Sequence, residues 1–328
     1  MKKRVSLWIS WENHRRTKEL AAALQGVELC ILEFNGLRML RYPYLLCKTM
    51  LVLLRRRPGL ILVQSPSIIL AFFMVTVGRY FTRFIVVDAH NEGLRPFSDK
   101  LTWLLPLYRF IQRQAYMTIV TNEELSKEVE RNGGRSFVLQ DKIPKVSCRK
   151  RVALKGKFNI VYICTFEKDE PYEEVIKAAR FIDLSTFIYI TGNKHKAPRE
   201  AIENAPLNVV FTGFLPESEY FSLLCSCDAI MDLTLMENCL VCGAYEAVAV
   251  NKPIILSDTK ALREYFNLGA VFTANDAESI ATAISYINIE RQDLERGVRV
   301  LENRLLSDWN KRKQSLTCHL ELQNPTAE

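Results

Sequence analysis

Two glutamates, Glu237 and Glu246, lie within the stretch MENCLVCGAYEAVAVNKPIILSD, residues 236–258. Val241, Ala244, Tyr245 and Val248 recur at helical spacing and form the apolar stripe of a helix, and Glu246 falls outside that stripe. Glu237 comes just before the helix and after the apolar run AIMDLT. Free N–H groups and the positive end of the helix dipole favour an anion at such a junction, and a diphosphate fits the site. A carboxylate beside it can accept hydrogen bonds from ligand hydroxyls. The plainer alternative is a solvated glutamate near a helix start.

Other motifs narrow the chemistry. No G-x-x-x-x-G-K-[ST], no G-x-G-x-x-G after a strand and no G-x-S-x-G occurs, so the fingerprints of P-loop, dinucleotide and α/β-hydrolase chemistry are absent. Nine cysteines are scattered, and Cys239 and Cys242 make a lone C-x2-C without a second pair or a nearby histidine. The odd count, with no signal peptide, predicts free thiols in a reducing cytosol, and the spacing predicts no metal site.

These residues need a frame. At 328 residues the chain suggests two domains of about 150 residues each. Short apolar runs alternate with helix-length segments throughout: RVSLWIS, VELCILE, LILVQ, FIVVDAH, MTIVT and SFVLQ, then FNIVYIC, TFIYIT, NVVFTG, AIMDLT, PIILS and AVFTAN. Strands apolar along their whole length fit parallel sheets covered on both faces, so the fold class is α/β with two doubly wound, Rossmann-like domains. A ligand cleft is expected at the C-terminal strand ends, between the domains. The boundaries read as 1–145, a basic linker at 146–157, a second domain at 158–290, and C-terminal helices at 291–328 that pack back toward the first domain.

Charge divides the same way. Residues 1–150 hold 25 Lys+Arg against 12 Asp+Glu, a balance of +13, leaving 19 against 25, or −6, for the rest. A basic half suits phosphates or an anionic membrane surface; nucleic acid is not expected, since no recognition motif accompanies the charge. The leucine-rich segment PYLLCKTMLVLLRRRPG, ending in Arg55–Arg57, can rest on a membrane interface or cover a core. No apolar run reaches the ~20 residues of a membrane span.

Residues 158–275 resemble the donor-binding domain of GT-B glycosyltransferases, above all the glycogen-synthase-like group called family 4, as found in bacterial polysaccharide and glycan biosynthesis. YEAVAVNKPIILSD carries the resemblance most closely, with Glu246, Pro253 and Asp258 in place, and FNIVYICTFEKDEPYEEVIKAARFI, IYITGN and NVVFTGFLPESEYFSLLCSCDAIMDL extend it. The resemblance implies that Glu246 binds the ribose hydroxyls of a nucleotide and that Glu237, or Asn238 in the strict register, contacts the donor sugar. In the family seven residues separate the two acids; here there are eight, and no Gly-Phe-Gly follows. Lys168 stands where the family neutralises a diphosphate, without the customary arginine; Lys194 and His195 are substitutes. The loop with Gly213 and Phe214 resembles the one that flanks the base.

In the first half, VVDAHNEG resembles an acceptor-domain element. It makes Asp88 a candidate general base in an inverting reaction and His90 a donor-sugar contact in a retaining one. Arg15 and Arg16, at the first helix start, are candidate phosphate contacts. The resemblance implies a Leloir, hexosyltransferase-type enzyme that moves a sugar from a nucleoside diphosphate sugar to a glycan or polyprenyl-linked acceptor. It would need no cofactor or metal and would work in the cytoplasm, peripherally on the inner face of the membrane. A sugar-nucleotide epimerase and a non-catalytic GT-B scaffold subunit are the alternatives of the same architecture.

Overall fold

The computed structural model describes residues 5–65, 67–96, 99–148 and 150–323. They form two compact units, residues 1–142 with 308–328, and residues 143–307. Residues 146–157, read as a linker, therefore belong to the second unit, as do residues 291–307.

The first unit carries β1 (Ser6–Ser10), α1 (Arg15–Ala23), β2 (Val27–Ile31), α2 (Arg41–Arg56), β3 (Leu60–Ser65), α3 (Ile68–Thr76), β4 (Ile85–Ala89), α4 (Asn91–Leu94), α5 (Leu105–Gln114), β5 (Met117–Val120), α6 (Glu123–Arg131) and β6 (Ser136–Val138). Its strands are parallel in the order β2-β1-β3-β4-β5-β6. Alternate side chains enter opposite cores, as the two-residue period of a strand requires. Ile61, Val63, Ile85 and Val87 meet Leu45 and Leu53 of α2, Leu70 and Met74 of α3, and Ile111 of α5. Leu62, Val86 and Ile119 meet Leu20 of α1 with Trp309 and Leu316. Covered on both sides, β3 is buried at all six positions, which is why LILVQ reads as a continuous apolar run.

The second unit carries β7 (Phe158–Tyr162), α7 (Tyr172–Ala178), β8 (Thr186–Thr191), α8 (Arg199–Glu203), β9 (Val209–Gly213), α9 (Glu217–Ser226), β10 (Ala229–Asp232), α10 (Cys242–Ala249), β11 (Ile254–Ser257), α11 (Lys260–Tyr265), β12 (Ala270–Thr273) and α12 (Ala277–Ile289). The last helix, α13 (Arg291–Gln323), gives residues up to 307 to this unit and the rest to the first. The second sheet is also parallel, in the order β12-β11-β10-β7-β8-β9. Side-chain caps open α6, α11 and α12: Asn122, Thr259 and Asp276 accept from the N–H groups of Leu125, Leu262 and Ser279. Among the described residues no helix is long and apolar enough to cross a membrane.

Candidate functional site

The order of the second sheet fixes where a ligand finds an opening. From β7 the chain moves outward to β8 and β9, whereas from β10 it moves the other way to β11 and β12. Helices leaving adjacent strands in opposite directions part at the C-terminal edge, and in doubly wound sheets the ligand crevice forms there. Its walls are the loops after β7, residues 163–171, and after β10, residues 233–241. They are joined where the Leu235 N–H donates to the Asp169 carbonyl at 2.7 Å.

Both loops have internal supports. The Glu170 carboxylate accepts from the Thr165 N–H at 2.9 Å, the Thr165 hydroxyl at 3.0 Å and the Glu167 N–H at 3.0 Å, so residues 165–170 wrap around it. Phe166 adopts φ of 60°, a left-handed conformation uncommon outside glycine, asparagine and aspartate, and its ring is buried against Tyr172. Lys168 is exposed at the tip of this loop, with no ion-pair partner among the described residues. Lys194 is likewise exposed after β8, while Lys196 pairs with Glu167. Glu237 and Asn238 form a turn in the loop after β10, with Glu237 exposed and Asn238 half-buried. The helix starts at Cys242, so the extra residue between Glu237 and Glu246 is absorbed in the loop.

The start of α10 is already supplied with a carboxyl oxygen. The Gly243 N–H donates to Oδ2 of Asp232, the last residue of β10, at 2.7 Å. A Cβ on residue 243 would lie 2.5 Å from that oxygen and 2.5 Å from Cδ1 of Ile163, so the approach requires glycine. Burial pushes the Asp232 carboxyl well above the ordinary carboxylate range; the Gly243 N–H opposes this, and the charges of Glu170, Glu246 and Asp169 add to it. One turn further on, Glu246 is half-buried and accepts a hydrogen bond from the Tyr220 hydroxyl of α9. Burial, then Glu246, pushes the Tyr220 phenol upward. Gly213 ends β9 at φ of 74°, and Phe214 next to it is 86% exposed. The apolar stripe Val241, Ala244, Tyr245 and Val248 is buried, as its spacing predicts.

In the first unit two expectations need correction. Arg16 is not a phosphate contact. Its Nε donates to both Asp88 oxygens at 3.1 Å, its Nη2 to Asp88 at 2.8 Å and to the Leu139 carbonyl at 2.9 Å, and its Nη1 to Asp141 at 2.5 Å. Asp88, 1% exposed, is correspondingly no free general base, because the guanidinium occupies its carboxylate. The arginine, placed by the first turn of α1, ties that helix to β4 and to the segment after β6. Arg15 is exposed and pairs with Glu19. His90 follows β4 and is partly buried; burial lowers its pKa, with the Arg16 charge adding to that and Asp141 and Asp88 opposing it.

This cluster sets a pH dependence. His90 is more readily protonated in the unfolded chain, near pH ~6.5, so its contribution to stability is present above that value and is lost as pH falls. For Asp141, burial alone would raise the carboxyl, but Arg16 holds it below the ordinary range. Its contribution is present above the unfolded value of ~3.9 and is lost below it. These two groups should therefore contribute a component of the thermal midpoint that declines from about pH 6.5 and more steeply below about pH 4, whereas the raised Asp232 carboxyl contributes stability that is lost as pH rises. In His90→Asn the first decline should disappear and the second remain.

A second opening lies beyond β1 and β2: a cavity of about 540 Å³ whose walls include Trp11, Glu12, His14, Phe34, Arg38 and Arg41. Glu12 bridges His14 at 2.8 Å and Arg41 at 3.1 Å. Composition gives no sign of this concavity, nor of Glu170, Asp232 and Tyr220, which sequence reasoning passes over. Cys148 and Cys225, 77 residues apart, are joined as a disulfide with Cα atoms 5.5 Å apart, contrary to the expectation of free thiols alone.

Similarity to known proteins agrees with this geometry. The family model for glycosyl transferases group 1 matches residues 147–298. A 41.2 kDa uncharacterized protein in the cps region of Klebsiella pneumoniae is 21% identical over 178 residues, spanning 54% of this chain and 45% of that protein. Among solved structures, Alr3699/HepE of Anabaena in complex with UDP superposes with a TM-score of 0.73 at 13% identity, covering 96% of this chain and 99% of that one. The sucrose-phosphate synthase of Thermosynechococcus elongatus gives 0.76 at 14% identity, covering 95% and 97%. The chain has the GT-B fold, and its residues 147–298 are similar to the group 1 glycosyl transferases.

Proposed function

We propose that the chain transfers a sugar from a nucleoside diphosphate donor to a glycan or polyprenyl-linked acceptor in polysaccharide biosynthesis. The donor is taken at the switch point of the second sheet. The observation that carries this reading is the pair of tied loops there: Lys168 offers an uncompensated cation for a diphosphate, and Glu237 and Asn238 offer acceptors for sugar hydroxyls. Glu246, held by Tyr220, takes the ribose hydroxyls, while Gly213 and Phe214 flank the base. The structure of HepE with UDP and the cps-region protein support the donor class and the biosynthetic setting.

The chemistry required of the protein is positioning and charge stabilisation of the departing diphosphate, with no cofactor beyond the donor. Arg16 and Asp88 would act on this only by holding the frame. The acceptor is presented at the cytoplasmic face of a membrane, to which the protein binds peripherally. The test supplies the purified chain with membranes and radiolabelled nucleotide sugars. Label should enter the lipid extract with at least one donor, and Lys168→Ala should cut the rate. Label that stays wholly in the nucleotide pool for every donor, or appears as an isomerised donor, contradicts the reading.

A further inference from the structure

The second unit opens with a segment, residues 143–154, that forms neither helix nor strand. Ile143, Val146 and Leu154 pack into the core that also receives Leu223 and Leu224 of α9 and Ala244 of α10. Toward its end the Val152 N–H donates to Ser226 Oγ of α9 at 2.8 Å, and the Lys155 N–H donates to the Tyr189 hydroxyl at 2.7 Å. Between Val146 and Val152 the segment is tied covalently, through the disulfide from Cys148 to Cys225 of α9.

The two sulfurs of this bond stand in opposite surroundings. Cys148 is exposed, and Arg149, Lys150 and Arg151 follow it in the chain. Neighbouring cations favour the thiolate, the form in which cysteine exchanges with other thiols and disulfides. Cys225 is 2% exposed and lies with Leu223 and Leu224 on the buried side of α9. An incoming thiolate therefore reaches Cys148 and not its partner. In the cytoplasm, where the proposed transferase works, such disulfides are mostly transient and redox-sensing.

The helix that holds Cys225 also holds part of the donor site. Tyr220, five positions earlier and about 7.5 Å along the axis, donates its hydroxyl to Glu246. At ten residues, α9 is too short to be stable by itself, and no side chain caps its start. Its order comes from what it packs against and from the segment bonded to its last turn.

We infer that the Cys148–Cys225 bond is a reversible redox switch on α9, and through Tyr220 on the grip of Glu246. Its effect on donor affinity rests on the proposed reading of Glu246 as the ribose contact. In the reducing direction, a thiolate of a dithiol reductant attacks Cys148 Sγ. The S–S bond breaks, and Cys225 leaves as a thiolate that takes up a proton. The second thiol of the reductant then displaces Cys148 as a thiol. The reductant ends as a disulfide, and both cysteines are reduced by two electrons in all. With the segment released, α9 loosens and Tyr220 no longer fixes the Glu246 carboxylate. A disulfide oxidant reverses each step.

The test uses the full chain treated with diamide or with dithiothreitol. Peptide mapping should find Cys148 joined to Cys225 after the first and both free after the second. Reduction opens a closed loop of 77 residues, so the thermal midpoint should fall on the order of 10 °C. Amides of α9 should exchange hydrogen faster in the reduced chain. The nucleotide that binds best should bind about two- to tenfold more weakly, the worth of one ordered hydrogen bond. Cys148→Ser, a change at an exposed position, should behave as the reduced chain under either treatment. In Tyr220→Phe the affinity difference between the two redox states should vanish. Failure of the bond to form under diamide, or α9 exchange and nucleotide affinity that ignore the redox state, overturns the proposal. A redox effect that survives Cys148→Ser also overturns it, by assigning the effect to other thiols. Redox-dependent exchange of α9 without nucleotide binding in either state would uphold the switch and remove the donor reading instead.

Discussion

Arg16→Leu is expected to destabilise the first unit by about 3–5 kcal/mol, because it strips two buried carboxylates of their common cation. Asp88 and Asp141 receive four of their hydrogen bonds from this one guanidinium, whose side chain is 8% exposed. Burial alone would make Arg16 easier to deprotonate, but the two aspartates more than offset this. Without the arginine, one carboxylate must remain charged in a dry site or take up a proton, and either costs free energy. The thermal midpoint should fall on the order of 10 °C for a unit of this size. Arg15→Leu, one residue away on the same helix but exposed, should change stability by about 1 kcal/mol or less. Arg16→Lys keeps the charge but not the planar fork and should fall between the two. Equal midpoints for Arg16→Leu and wild type would show that the cluster does not hold this unit together.

The second large effect concerns ligand affinity. Glu246→Gln preserves shape and one acceptor oxygen, so the Tyr220 hydroxyl keeps a partner and the fold should persist. What disappears is a charged acceptor for ribose hydroxyls, whose hydrogen bonds contribute about 1.5–3 kcal/mol. Nucleotide affinity should therefore drop roughly ten- to a hundredfold, with the unfolding midpoint of the free protein nearly unchanged. Tyr220→Phe leaves the carboxylate charged but frees its orientation. It should raise the donor KM by less than Glu246→Gln does, with little change in kcat. If Glu246→Gln binds nucleotide as the wild type does, Glu246 has no place in a donor site.

Much of the frame is legible in the chain. Each of the twelve apolar runs becomes a strand, since parallel strands buried on both faces must be apolar throughout, and LILVQ at β3 is the plainest case. The helix after AIMDLT likewise buries the four residues its spacing marks. What the chain conceals is pairing across long separations. Nothing local tells that Arg16 meets Asp88 72 positions away and Asp141 125 away, and both therefore pass for free functional groups. Asp232 reads as the polar end of a strand until Gly243 is seen donating to it. Cys148 and Cys225 show no spacing signal, because connectivity across 77 residues depends on where α9 packs. The offset of one residue before Glu246 is resolved only by the start of α10, which places Glu237 in the preceding loop.

A nucleotide taken at the switch point of the second sheet should show itself in unfolding with ligands. The purified chain is melted with UDP, GDP, ADP and CMP in turn, each far above its expected dissociation constant. A ligand at about 100 times that constant adds about 2.7 kcal/mol to stability. One of the four should raise the midpoint, and Lys168→Ala should diminish the rise. Identical midpoints with all four and with buffer would contradict it.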